Sequence, residues 1–333
     1  MTPMTARVTM YFLGGTISMS SADGHSVRPT LSGDDLLAAV PGLDQVDAEV
    51  TAEQVAREQS GSLTYTHLLT VFERARSSDA GGFVLVQGTD TLEESAYLLD
   101  LLWDDPRPFV ATGAMRNPTM AGADGAANLL AAVRVAASPE ARERGAFVVF
   151  ADEIHAARHV TKSDTASIST FRSPNTGPAG RVLEGHVHFF SPPGARSALG
   201  ADVSNVTTMD VEVPVLVTGF GQSVRTLKAI ADGADALVLA GFGAGHVPGW
   251  WAEAVGAIAE RMPVVMTSRT HSGPALVETY GAVGAEVDLQ QRGVVMGGYL
   301  DALKARLLVS VLLAAGTDRE QIEAAVRRHG GYR

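Results

Sequence analysis

Cysteine is absent from the chain, and with it go disulfides, thiolate nucleophiles and zinc–thiolate centres. No apolar stretch approaches the ~20 residues needed to cross a bilayer. The amino-terminal residues Met1 to Arg7 lack the basic, apolar, small-residue order of a secretory signal, so a cytoplasmic, soluble protein is expected. Basic charge is also scarce: 26 Lys and Arg stand against 37 Asp and Glu, a formal net charge of -11. No Lys/Arg cluster offers the positive face that nucleic-acid phosphates require. What remains is an ordinary globular mixture, 46% hydrophobic and 19% charged, over 333 residues. Single cores seldom grow past about 250–300 residues, so two domains are expected.

Apolar strand-like runs alternate with helical patterns. Val8 to Leu13, Phe83 to Val86, Phe109 to Thr112 and Phe147 to Ala151 read as strands. Between them, Ser32 to Val40, Leu68 to Arg76, Glu93 to Trp103 and Asp124 to Ala137 read as helices. This alternation predicts an α/β fold with a doubly wound, mostly parallel sheet. Periodicity fades over Phe171 to Asp202, a stretch rich in Ser, Pro, Gly and Asn, which places the end of a large amino-terminal domain near residue 200. A smaller α/β domain, 201–333, should follow. Its strands are Ala236 to Ala240 and Val264 to Thr267; its helices are Gly249 to Arg261 and a final, Ala/Leu-rich Leu303 to Ala315.

Two turns carry the chemistry. Gly14-Gly15-Thr16-Ile17-Ser18 follows the first strand, and Gly88-Thr89-Asp90-Thr91 follows Phe83 to Val86. A strand that ends in glycine and then a hydroxyl residue presents that hydroxyl at the carboxyl edge of the sheet, where ligands of open α/β folds bind. Each motif alone also reads as a tight turn with a helix cap. Together they predict a threonine-centred site that cleaves amides. A threonine hydroxyl needs a base, and Lys162 in Val160-Thr161-Lys162-Ser163-Asp164 is a candidate if burial removes its proton. Asp90 is placed to hold a substrate ammonium, or to cap a helix. His155 and His159 stand four residues apart without a carboxylate at a recognisable spacing, so no metal is expected.

In combination, these three motifs resemble the bacterial-type L-asparaginases. Gly113-Ala114-Met115-Arg116, Asp124-Gly125 with Asn128, Phe171-Arg172-Ser173-Pro174-Asn175, the run Ala240 to Gly245 and Ser268-Arg269-Thr270 support the resemblance. It implies a two-domain, cofactor-free hydrolase that releases ammonia from a small amino-acid amide, assembled as a homodimer or homotetramer. It also implies Thr16 as nucleophile, with Thr89, Asp90 and Lys162 as a second catalytic cluster. Ser60 would bind the substrate α-carboxylate, Asp90 its α-amino group, and the Gly88-Thr89 backbone the oxyanion. Glu286 would reach the site from a neighbouring subunit.

Two positions depart from that family pattern. The lid segment Ser18 to Thr30 holds no tyrosine; His25 falls where one is usual, either as a substitute proton carrier or as a plain loop residue. His246 stands where many members carry asparagine, which opens the door to another small amide. A non-catalytic asparagine sensor is the alternative from another class, and it has no need of Lys162 beside two threonines. The amidotransferase subunit of this fold carries an added amino-terminal domain, for which a first strand at Val8 leaves no room.

Overall fold

A computed structural model describes residues 6–15, 19–20, 28–29, 33–194, 196–203 and 206–332. The chain divides into two compact units, Met1–Gly200 and Ala201–Arg333. In the first unit the order is β1 (Ala6–Gly14), β2 (Met19–Ser20), β3 (Arg28–Pro29), α1 (Gly33–Ala38), β4 (Ala48–Glu58), α2 (Tyr65–Ser77) and β5 (Gly82–Val86). There follow α3 (Leu92–Leu102), β6 (Phe109–Thr112), α4 (Gly125–Ala137), β7 (Ala146–Phe150) and β8 (Glu153–Ala156). The unit closes with β9 (Thr161–Lys162), β10 (Phe171–Arg172), β11 (Gly180–Leu183) and β12 (His186–Phe189).

Eight of these strands form one sheet in the order β12-β11-β8-β7-β6-β5-β1-β4. The five from β7 to β4 run parallel; β8, β11 and β12 extend the sheet antiparallel. Strands covered on both faces become continuous apolar runs instead of alternating ones. Gly82–Val86 is buried throughout for that reason. Met10, Phe12, Val84, Val86 and Val110 join the cluster that packs on α4. Their in-between neighbours Tyr11, Phe83 and Phe109 meet the aromatic residues of the other face, where Trp103 stands edge-on to Phe83 and Phe109 at 5.4 and 5.3 Å.

The second unit contains β13 (Val215–Val217), α5 (Val224–Ala231), β14 (Leu237–Gly241), α6 (Ala252–Ala259), β15 (Val264–Ser268), α7 (Glu286–Gln291), β16 (Val295–Met296), α8 (Ala302–Ala314) and α9 (Arg319–His329). Its four strands pair in chain order and all run parallel. Trp251, Met266 and Leu289 sit in its core.

The architecture is the expected α/β one, with local differences that have physical causes. The stretch after Phe171 is not featureless: it supplies β10, β11 and β12. These are short strands at or near an edge, where alternate residues face solvent and the apolar signal thins. The Ala/Leu-rich helix is α8 but not the last, because α9 follows with a narrow buried stripe of Ile322, Ala325 and Val326.

Candidate active site

The carboxyl ends of the parallel strands bring the two glycine turns together. Since β1 and β5 are neighbours paired in register from Val8↔Gly82 to Phe12↔Val86, the residues beyond them must meet. Gly15 has φ +91°, and a Cβ there would lie 2.1 Å from the Gly88 nitrogen. Only glycine allows two backbones to approach so closely. On the outer side, β4 ends at Glu58 and turns into Ser60, whose hydroxyl would meet a Cβ on Gly88 at 2.8 Å.

Ser60 is buried and fastens the second turn. Its Oγ accepts the Asp90 N–H at 3.2 Å and donates to Asp90 Oδ2 at 3.4 Å, while its carbonyl accepts from Thr91 Oγ1 at 3.0 Å. Beyond β6, Asp124 accepts the backbone N–H groups of Met115 and Arg116. Asn128 donates to the Gly113 carbonyl at 3.0 Å and accepts from Ala151 N at 3.0 Å. One buried amide thus ties the ends of β6 and β7 together. Asn128→Ala is expected to cost about 1–3 kcal/mol, read in a urea melt, because two backbone groups lose their partner.

Lys162 comes from β9, which pairs only with β10: Phe171 lies opposite Lys162 and Arg172 opposite Thr161. Its Nζ donates to Thr89 Oγ1 at 2.9 Å and to Asp90 Oδ1 at 2.8 Å. The Lys162 hydrogen bond holds the Asp90 carboxyl below its ordinary value of 3.8, outweighing the burial that pushes it up. Lys162 is mostly covered and Asp90 mostly open, their side chains 17% and 73% exposed, so the carboxylate remains available to a visiting cation. The amine therefore has a carboxylate partner as well as partial burial.

Behind the ribbon, His155 is buried and its Nδ1 lies 2.9 Å from Ser173 Oγ, the residue after β10. It sits on strand β8, so its four-residue spacing from His159 carries no helical meaning. Burial lowers its pKa, against the pull of Glu153, and the ring is a neutral prop. Thr16 and His25 lie outside the described residues.

His246 and Glu286 meet in the second unit. Glu286 is fully buried; Oε1 accepts the N–H groups of Thr279 and Tyr280, and Oε2 lies 2.7 Å from His246 Nε2. Burial alone would raise its pKa, but the backbone N–H groups and His246 outweigh it and keep the carboxylate charged. Both oxygens are occupied within the chain, so what this cluster presents outward is the His246 ring, edge-on to Tyr280 at 5.2 Å.

A hydroxyl, an amine and a carboxylate at the carboxyl edge of a parallel sheet suit a hydrolase built on an α/β scaffold. The comparisons agree. Residues 7–194 match the family model for the asparaginase N-terminal domain, and 211–326 that for the glutaminase/asparaginase C-terminal domain. A probable L-asparaginase of Deinococcus radiodurans is 34% identical, over 95% of this chain and 95% of that one. L-asparaginase 2 of Escherichia coli is 33% identical, over 95% and 91%. The crystal structure of a probable cytoplasmic L-asparaginase from Campylobacter jejuni superposes with a TM-score of 0.85 at 27% identity, over 96% of this chain and 99% of that one. The chain belongs to the asparaginase/glutaminase family of amide hydrolases.

Among the described residues no helix is long and apolar enough to cross a membrane, and no cluster of three or more His, Asp or Glu could hold a metal ion.

Proposed function

We propose that this protein hydrolyses the side-chain amide of L-asparagine to L-aspartate and ammonia through a threonine ester. The observation that carries the reading is Lys162 Nζ within hydrogen-bond reach of both Thr89 Oγ1 and Asp90 Oδ1 at the sheet's carboxyl edge. Thr16, which follows the glycine packed on Gly88, is the nucleophile. Its Oγ adds to the amide carbon, the C–N bond breaks, and ammonia leaves with the hydroxyl proton. Water then adds to the ester, releasing aspartate and restoring the hydroxyl, so one hard step becomes two. Thr89 and Lys162 carry protons between water, ester and leaving group. Backbone N–H groups of the Gly88-Thr89 turn stabilise the oxyanion, each worth about 2.7–4 kcal/mol in comparable sites.

The substrate is a zwitterion, and the site's polarity suits one. Asp90 accepts from the ammonium and Ser60 donates to the α-carboxylate. Glu286 and His246 of a neighbouring copy complete the ammonium side, with Glu286 acting through the ring it orients. His25 serves the lid as a proton carrier. Assembly as a homo-oligomer and a cytoplasmic setting belong to the same reading. The relatives include a periplasmic member named from Haemophilus influenzae as well as the cytoplasmic one, so the setting is a property to measure.

His246 favours a second reading, turnover of another small amide, because a larger imidazole replaces the usual asparagine. A glutaminase-asparaginase of Pseudomonas fluorescens, 33% identical, is a relative with that breadth in its name. Ammonia release from asparagine, glutamine and a panel of small amides decides between them. Thr16→Ala is expected to abolish release from the best substrate; full activity in that variant would refute the nucleophile.

The Asp90 carboxylate has a pH signature. Its pKa is depressed in the folded protein, so its charge is present above 3.8 and is lost only as pH falls through the lower value. The acid limb of kcat/KM should therefore belong to another group. A limb above pH 4 that disappears in Asp90→Asn would contradict this.

A further inference from the structure

A cavity of about 400 Å³ opens in the first unit, lined by none of the residues assigned above to catalysis or substrate binding. That volume lies within the ~300–1,000 Å³ of small-molecule sites. Its walls come from the segments flanking the ribbon that carries Lys162. Arg158 and His159 precede β9, and Thr176 to Pro178 follow β10. The remaining wall includes three aromatic residues, Phe147, Phe189 and Phe190, beside Arg144 and Pro192.

Charge inside the cavity is reversed relative to the molecule. In a chain of net charge -11, two arginines line it, and no carboxylate side chain is among the described lining residues. Arg144 donates through Nε to the Glu140 carbonyl at 2.7 Å and through Nη1 to the Ser191 carbonyl at 2.8 Å, and the Glu140 carboxylate also acts on its charge. Its guanidinium lies 4.1 Å above the Phe189 ring. Arg158 reaches Ser197 Oγ at 3.3 Å and shares its charge with buried Asp100. Arg144 makes these hydrogen bonds to carbonyls and no carboxylate lines the described walls beside it, so it is the cation offered here to an anion. Phe190 adds a large apolar side chain left 60% exposed at the mouth. Aromatic side chains beside a guanidinium suit a flat body ending in a carboxylate.

We propose that this cavity is a second ligand site, for a small organic anion with a flat apolar body, and that its occupant acts on the Lys162 ribbon. The route is short. The Ser173 carbonyl accepts the N–H groups of Thr176 and Gly177, at 3.2 and 2.8 Å, and both residues line the cavity. The Ser173 hydroxyl is held by His155, and the residues just before it pair with Thr161 and Lys162. A ligand that moves the 176–178 segment therefore pulls on the strand opposite Lys162. The site stands independently of the catalytic reading; its effect on turnover rests on that reading.

Calorimetric titration of the full chain with benzoate tests the site, with inorganic phosphate as the anion lacking an apolar body. Benzoate should bind, at least tenfold more weakly to Arg144→Gln and severalfold more weakly to Phe190→Ala, with phosphate silent at the same concentrations. Phe190→Ala alters an exposed side chain, so it remains informative if Arg144→Gln folds poorly. Absent benzoate binding in the wild type, equal affinity in both variants, or phosphate binding as tightly as benzoate would each overturn the site. Saturating benzoate should shift kcat or KM for amide hydrolysis at least twofold in the wild type and not in Arg144→Gln. Unchanged kinetics with binding intact would overturn the coupling. A chain that releases no ammonia from any amide would instead refute the catalytic reading, leaving calorimetry to judge the cavity.

Discussion

Lys162→Met is expected to lower kcat for amide hydrolysis by about 10²–10⁴, the range that a positioned proton-transfer group supplies. Methionine keeps the unbranched stem but removes the donor that bridges Thr89 Oγ1 and Asp90 Oδ1. Stability should hardly change. Asp90 is mostly exposed, and an ion pair with one open partner is worth only about 0–1 kcal/mol after solvent screening. A melting temperature near that of the wild type, beside a collapse in kcat, therefore separates chemistry from folding. Lys162→Arg sharpens the test. Arginine retains the charge but replaces three rotatable donors with a planar fork that does not yield a proton, so it should restore the ion pair without restoring turnover. Wild-type kcat in Lys162→Met would refute the relay.

Much of this arrangement is legible in the sequence, because the chemistry sits where sequence signals are strongest. Buried parallel strands announce themselves as apolar runs, and Gly14-Gly15 and Gly88 punctuate two of them. The meeting of Thr89, Asp90 and Lys162 was implied by family resemblance and not by spacing, since 72 residues separate Asp90 from Lys162. Edge elements hid from the same reading. β4, Ala48–Glu58, carries Thr, Glu, Gln and Arg along a half-exposed face, so its eleven residues show none of the apolar run of a buried strand. It nevertheless delivers Ser60. The Asn128 tie between two strand ends gave no periodic signal either: a lone amide inside an Ala/Leu-rich helix shows its purpose only when both backbone partners are in view. The resemblance implies Glu286 as a contact from a neighbouring subunit, and within the chain its oxygens accept two N–H groups and face His246. The two N–H groups come from a loop, which no side-chain pattern encodes.

Gly15→Ala should have the largest structural effect of any single methyl addition near the site. At φ +91° an L-side chain is already strained, and the added Cβ would stand 2.1 Å from Gly88 N, 2.4 Å from Gly88 Cα and 2.8 Å from the Gln87 carbonyl carbon. All three are backbone atoms of a turn pinned by Ser60, so no rotamer change relieves the contact. Backbone strain of about 1–3 kcal/mol and overpacking of about 1–3 kcal/mol together give an expected loss of about 2–6 kcal/mol. Activity should fall with it, because Thr89 follows Gly88, and a shift of that turn moves the hydroxyl away from Lys162 Nζ. Gly233→Ala is the matched control: its φ is +76°, but no atom lies within 4 Å of the new Cβ. It should cost only the conformational part, about 1–2 kcal/mol, and leave ammonia release unchanged. Thermal melts and ammonia assays on the two variants read strain and collision separately. A Gly15→Ala protein as stable and active as Gly233→Ala would mean that the two turns do not touch, and that the sheet does not set the place of Thr89 through them.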